Sequence, residues 1–236
     1  MGHIGKSCSK GLVAIILCFV LICGSVGVGA MVASADTVIA ISKTKLTLTV
    51  GSSSKLKITG TEDKVNWKSS KSSVATVSST GNVKAKKVGK ATITAKVGQD
   101  TLKCVVTVKA KTKEQKVLEL VNKERKKKGL KTLKMDSKLQ KAARARAKEI
   151  TKKFSHTRPN GKKAHTVLKS YGVTYHVCGE NIAAGQPTAK RVMSDWMNSK
   201  GHRANILYKS YTRMGVGLYK APNKKYKYYW VQIFAD

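Results

Sequence analysis

The sequence predicts a multi-domain protein, an all-β antiparallel sandwich followed by an α+β domain. Three observations carry this. From Thr37 to Lys109 apolar residues recur with period two between regularly spaced glycines. After a short charged stretch, Lys109-Ala110-Lys111-Thr112-Lys113, helical spacing takes over. Two apolar or alternating runs then close the chain, Met214 to Tyr219 and Tyr228 to Phe234. A chain of 236 residues has room for two small domains.

The first element is a targeting segment. Lys6 and Lys10 precede an apolar run from Leu12 to about Val32, and Ala33-Ser34-Ala35 supplies the small residues of a cleavage site. Residues 1–35 therefore read as a secretory signal peptide, with an uncleaved membrane anchor as the alternative. Cys23 follows Val20-Leu21-Ile22 and lacks the small neighbours of a lipid-anchor box.

Residues 36–109 form the β domain. Leu46, Leu48 and Val50 alternate with threonines. Val65 and Trp67, Val83 and Ala85, Ala91 to Val97, and Leu102 to Val108 repeat the pattern. Gly51, Gly60, Gly81, Gly89 and Gly98 punctuate it. Cys104 shares the phase of Leu102 and Val106 and reads as a small buried hydrophobe.

Residues 110–113 form a linker and 114–236 the second domain. Thr112 and Gln115 have capping-box spacing, and Gly129 marks the helix stop. Ser137 and Gln140 repeat that spacing before a stripe of Leu139, Ala143, Ala147, Ile150 and Phe154. Thr188 is placed to cap a third helix that turns Val192, Met193, Trp196 and Met197 inward.

The net charge is +35, and removal of residues 1–35 takes two lysines and no acid, leaving +33. Such a surface attracts polyanions. An exported protein meets anionic wall polymers and membrane surfaces first, so nucleic acid is not the expected partner. Only Cys104 and Cys178 lie outside the signal segment, so there is no disulfide framework.

Chemistry is hinted at in three short segments: Ser155-His156-Thr157-Arg158-Pro159-Asn160-Gly161, Gly179-Glu180-Asn181-Ile182-Ala183 and Gly201-His202-Arg203-Ala204-Asn205-Ile206. Imidazole and carboxylate bind divalent metals or move protons near neutral pH. With Val117 to Arg125 and Tyr229 to Phe234, these segments resemble the signature of the CAP superfamily (cysteine-rich secretory, antigen 5 and pathogenesis-related 1 proteins) in its compact bacterial form. Leu46 to Gly51, Trp67 to Ser70, Val74 to Val77, Gly81 to Val83 and Gly89 to Ala95 resemble a bacterial Ig-like domain of group 2.

The CAP resemblance implies an α-β-α sandwich and a cleft that brings His156, Glu180 and His202 together, with the histidines as candidate ligands for Zn2+ or another divalent metal. Glu180 is the candidate for a catalytic role. Asn181 and Asn205 stand at motif positions that either line the cleft or tie loops to the backbone. Where many members carry a second glutamate, this chain has Ser199. The resemblance also implies extracellular binding of lipids, sterols or partner proteins, and a lipid, a peptide or a metal is the expected ligand of the cleft. Three functions follow: a ligand-binding module with an Ig-like spacer or wall-adhesion unit, a metal-assisted hydrolase, and an adhesive wall protein held by charge.

Overall fold

The computed structural model describes residues 38–236. The signal segment and its cleavage site lie outside the described residues. Among the described residues no helix is long and apolar enough to cross a membrane.

The first domain contains nine strands. They are β1 (Ala40–Ile41), β2 (Lys45–Thr49), β3 (Ser53–Lys55), β4 (Ile58–Thr59), β5 (Asn66–Ser69), β6 (Ala75–Val77), β7 (Asn82–Ala85), β8 (Gly89–Val97) and β9 (Asp100–Lys109). They form a four-stranded sheet in the order β2-β9-β8-β5, a three-stranded sheet β3-β7-β6 and the pair β1-β4. The two larger sheets supply one hydrophobic cluster, with Leu46, Ile93, Cys104 and Val106 from the first and Ala75, Val83 and Ala85 from the second. Cys104 is fully buried, as its phase requires. One pairing departs from the all-antiparallel expectation: β2 runs parallel to β9, with Leu46 opposite Val106. β2 lies near the start of the domain and β9 closes it, and no hairpin joins them, so no tight turn dictates their relative direction.

The second domain comprises α1 (Lys113–Lys127), β10 (Lys134–Met135), α2 (Ser137–Glu149), α3 (Thr166–Ser170), β11 (Cys178–Ala184), α4 (Ala189–Asn198), α5 (Lys200–Leu207), β12 (Arg213–Lys220) and β13 (Tyr228–Ala235). Its sheet has the order β10-β12-β13-β11. Side chains of β13 alternate between two cores. Trp230 and Phe234 join Val117, Val121, Val192, Trp196 and Ile206 from α1, α4 and α5. Tyr229, Val231 and Ile233 join Leu139, Ala143, Ala147, Val167 and Leu168 from α2 and α3. Helices thus cover both faces of the sheet, the α+β three-layer arrangement. This also explains why β13 is apolar nearly throughout.

Local signals hold well where they are strictly local. Thr112 and Gln115 form a complete capping box on α1, and the Thr188 hydroxyl accepts from the Arg191 amide at the start of α4. Two details correct the sequence reading. The cap of α2 is Asp136, whose carboxylate accepts from the Lys138 and Leu139 amides. Gln140 instead donates to the Val216 carbonyl. Phe154 does not extend the buried stripe, because α2 ends at Glu149, and the residue is 53% exposed. Gly215 and Gly217 let α2 lie on β12: a Cβ on either would overlap the backbone of Leu139 or Ala143.

Candidate functional site

The site is built around a buried arginine. Leu139, Ala142, Ala143, Arg146, Ala147 and Ile150 occupy the inward stripe of α2 and its cap, and all are buried. A fully buried guanidinium requires charged or carbonyl partners. Arg146 has both. It grips Glu180 with two prongs, Nε to Oε2 at 2.9 Å and Nη2 to Oε1 at 3.2 Å. Its Nη1 donates to Glu149 at 2.8 Å, and Nη2 also donates to the Ser155 carbonyl at 2.9 Å.

Two further residues extend the cluster to the surface. His156 Nδ1 lies 2.8 Å from Glu180 Oε1, and the side chain of His156 is 59% exposed. On the other flank Arg158 binds Glu149, with Nη2 to Oε1 at 2.6 Å, and donates to Thr166 Oγ1 at 3.1 Å. Burial by itself lowers the affinity of Arg146 for its proton, but Glu180 and Glu149 outweigh it and the net shift is upward. Burial likewise acts to raise the Glu149 carboxyl, yet its bonds to Arg158 and Arg146 prevail and hold it below the usual range.

Strand alternation separates the central motif. Glu180 pairs with Ile233 and Asn181 with Gln232 across β11 and β13. Consecutive residues of a strand point to opposite faces, so Glu180 turns toward α2 and Asn181 toward α5. Asn181 is fully buried. It donates to the His202 carbonyl at 3.1 Å and to Gln232 Oε1 at 2.9 Å. Asn205 donates to Asn181 Oδ1 at 2.9 Å and to the Glu180 carbonyl at 3.3 Å. The two asparagines thus take the tying role: they fasten α5 to the edge strand β11. Gly179 serves this junction by close approach, since a Cβ there would overlap the Tyr211 hydroxyl and crowd Asn205.

A cavity of about 430 Å³ opens beside the cluster. His156, Glu180 and Lys163 give it a polar side, and Ala164, Leu168 and Ile233 an apolar one. His202 is not among its lining residues. Burial first, and the nearby charge of His156 second, push the His202 imidazole below its ordinary range. Cys178 also lines the cavity, and burial foremost raises its thiol, which stays protonated at neutral pH.

Glu180 finds its partners within the protein. Among the described residues no group of three or more His, Cys, Asp and Glu side chains is placed to hold a metal ion. Both Glu180 oxygens are occupied by Arg146 and His156. Arg146 itself escaped the sequence reading. Its signal was a charged residue standing on an apolar helical stripe.

The comparisons with known proteins agree with this architecture. The cysteine-rich secretory protein (CAP) family model matches residues 118–234, and the bacterial Ig-like domain (group 2) model matches residues 35–119. The Bacillus subtilis protein YkwD is 47% identical over 106 residues, 44% of this chain and 41% of that protein. The membrane protein YlbC of the same species is 31% identical over 109 residues, 45% of this chain and 32% of that one. An extracellular protein containing an SCP domain from Bacillus anthracis has a solved structure with 30% identity and a TM-score of 0.47; the match covers 52% of this chain and 40% of that one. The chain thus spans less than half the length of each of these relatives. It carries a CAP domain of the cysteine-rich secretory protein family, with a bacterial Ig-like domain of group 2 ahead of it.

Proposed function

We propose that this is an exported bacterial binding protein whose CAP domain takes a small lipid or peptide ligand in the cavity beside His156, with the Ig-like domain as spacer or wall-adhesion module. One observation carries the reading: the cavity joins an apolar wall to a polar wall whose carboxylate is held in place by Arg146. Glu180 takes two bonds from Arg146 and one from His156, which fix its carboxylate in place, so it serves as an orienting anion. His156, held at Nδ1, keeps Nε2 for a ligand. The N-terminal segment and the lysine-rich composition support export and contact with anionic wall or membrane surfaces. The proposed division is 1–35 signal peptide, 36–109 Ig-like domain, 110–113 linker and 114–236 CAP domain.

A divalent metal such as Zn2+, when present, would be held by His156 and His202. The donor set suits this: His202 is kept neutral by burial, and a carboxylate behind the first histidine is the usual way to orient an imidazole ligand. The metal would supply a Lewis acid and a more acidic bound water. Glu180 would orient His156 and leave coordination to the imidazoles.

The test uses His156→Ala, which leaves the Arg146–Glu180 pair in place. Calorimetric titration of the mature protein with a long-chain fatty acid and with a wall-derived peptide should show binding of one, weakened about tenfold in the variant, which corresponds to about 1.4 kcal/mol. Release of products from purified cell wall by the wild type, lost in His156→Ala, would establish the hydrolase in its place.

A further inference from the structure

We propose that the outer face of the four-stranded sheet in the Ig-like domain is a docking surface for a linear, phosphodiester-linked wall polymer. The inference rests on the wall-associated reading above and gives it a place and a ligand chemistry. In β2, β8 and β9 the residues facing the core are buried in strict alternation: Leu46 and Leu48, Ala91 to Val97, and Cys104 to Val108. Every second residue therefore stands on the outer face. That face carries Lys45, Lys68, Lys90, Lys96, Lys103 and Lys109, all exposed. Among the described residues no aspartate or glutamate shares it; Asp100, at the tip of the β8-β9 hairpin, has the inward phase.

The register shows how the sheet tolerates this charge. Like charges directly opposite one another destabilise a sheet, and here no lysine faces a lysine. Lys103 and Lys68 flank Thr94 from the two neighbouring strands. Lys90 faces Thr107, Lys96 faces Thr101 and Asn66, Lys45 faces Val105, and Lys109 faces Thr49. Lysines two strands apart, such as Lys103 and Lys68, have backbones roughly 9–10 Å apart, from the strand spacing. Each gap holds a threonine, asparagine or valine. The result is a broad lattice in which ammonium groups alternate with hydroxyls, both of which donate to phosphate oxygens.

That chemistry selects the ligand. A bilayer would call for apolar or aromatic groups to enter the headgroup region, and the face offers only Val105, 43% exposed. A flexible polymer with one negative charge per repeat can lie across the lattice and meet several lysines together. Its affinity should fall steeply with salt as condensed counterions are released.

The experiment compares two variants of the mature full chain with equal charge. In one, Lys68, Lys90, Lys96 and Lys103 become Gln; in the other, Lys55, Lys57, Lys84 and Lys86 do. Soluble poly(glycerol phosphate) is the probe, titrated at several salt concentrations. The face variant should lose at least tenfold in affinity with a shallower salt dependence, and the control variant no more than about threefold. Replacing the same four face lysines by Arg should retain binding, which separates charge from folding. Equal losses in the two Gln variants would reduce the effect to net charge and overturn the assignment. Tighter binding to phosphatidylglycerol vesicles than to the polymer, lost in the same variant, would overturn it in favour of a membrane. Retention on cell walls is scored separately. A face variant that loses the polymer yet stays on the wall refutes the wall role while leaving the surface assignment intact. A wild type that ignores the polymer refutes the surface assignment alone.

Discussion

Arg125 and Arg146 are both fully buried in the second domain, on different helices and under different partners. Arg125 sits at the end of the stripe Val117, Val121, Arg125 on α1 and donates only to backbone carbonyls. Nε reaches Lys131, Nη1 reaches Ile206 and Tyr208, and Nη2 reaches Tyr211. Its charge is not neutralised by any of these bonds, and burial pulls its pKa down. Arg146 is paired with two carboxylates and shifts upward. A guanidinium bonded to carbonyls fixes chain segments. One bonded to carboxylates also fixes charge, and through Glu180 it governs what His156 presents at the surface. The same residue type at the same depth thus has a fold-holding role in one place and a site-positioning role in the other.

The comparison breaks most sharply at Arg125. Arg125→Ala orphans three carbonyls at the α5-to-β12 junction and one in the loop after α1, and opens a cavity. The expected loss is about 3–5 kcal/mol of unfolding free energy, measured in urea. A loss below about 1 kcal/mol would mean that water replaces the guanidinium and that the carbonyl clamp is dispensable.

At Arg146 a pairwise effect is expected on top of the loss. Arg146→Met leaves Glu180 buried and short of its main partner, a change of about 3 kcal/mol. Glu180→Gln alone leaves the guanidinium under-compensated. The double variant should cost less than the sum of the singles, by roughly 1–3 kcal/mol of coupling in a double-mutant cycle. Additivity within about 0.5 kcal/mol would show that the two residues do not act as a unit.

Acid sharpens the contrast further. Glu149 has a folded-state pKa below the ordinary 4.5, so its stabilising effect is complete above that pH and is lost as pH falls through the lower folded value. Wild type should therefore lose stability below about pH 4.5. Glu149→Gln should start less stable at pH 7 and show a flatter acid limb. Arg125, with no carboxylate partner, contributes nothing to that limb. Identical pH profiles for wild type and Glu149→Gln would remove the carboxylate side of the comparison.

What the sequence could tell follows the range of the forces involved. Caps at Thr112 and Thr188 were legible because a cap is settled within four residues. The α2 cap was misread by one position because Asp136 and Ser137 are both good caps in adjacent places. Phe154 was misread because periodicity continued past the point where the helix ends. The opposite faces of Glu180 and Asn181 were readable in principle from strand alternation, had the motif been placed on a strand. The grip of Arg146 on Glu180 spans 34 positions and left only an indirect trace, a charge on an apolar stripe. Arg125 left the same trace on α1. Charged residues in such positions predict burial with partners, and their partners come from the fold.

The smallest expected stability effect lies at the end of the Arg146 chain of contacts. His156 is mostly exposed and touches Glu180 through one bond, at 2.8 Å. An exposed pair of this kind contributes about 0–1 kcal/mol. Arg146 continues to hold Glu180 when the imidazole is removed. His156→Ala should therefore unfold within about 0.5–1 kcal/mol of wild type, while its effect on ligand binding stays large. This split between stability and binding is the signature of a residue that presents itself to a ligand. Arg125→Ala should show the reverse, a large change in stability with ligand affinity unchanged in the fraction that remains folded. Measured side by side on the mature protein, equal proportions of lost stability and lost binding in the two variants would erase the distinction between holding the fold and positioning the site.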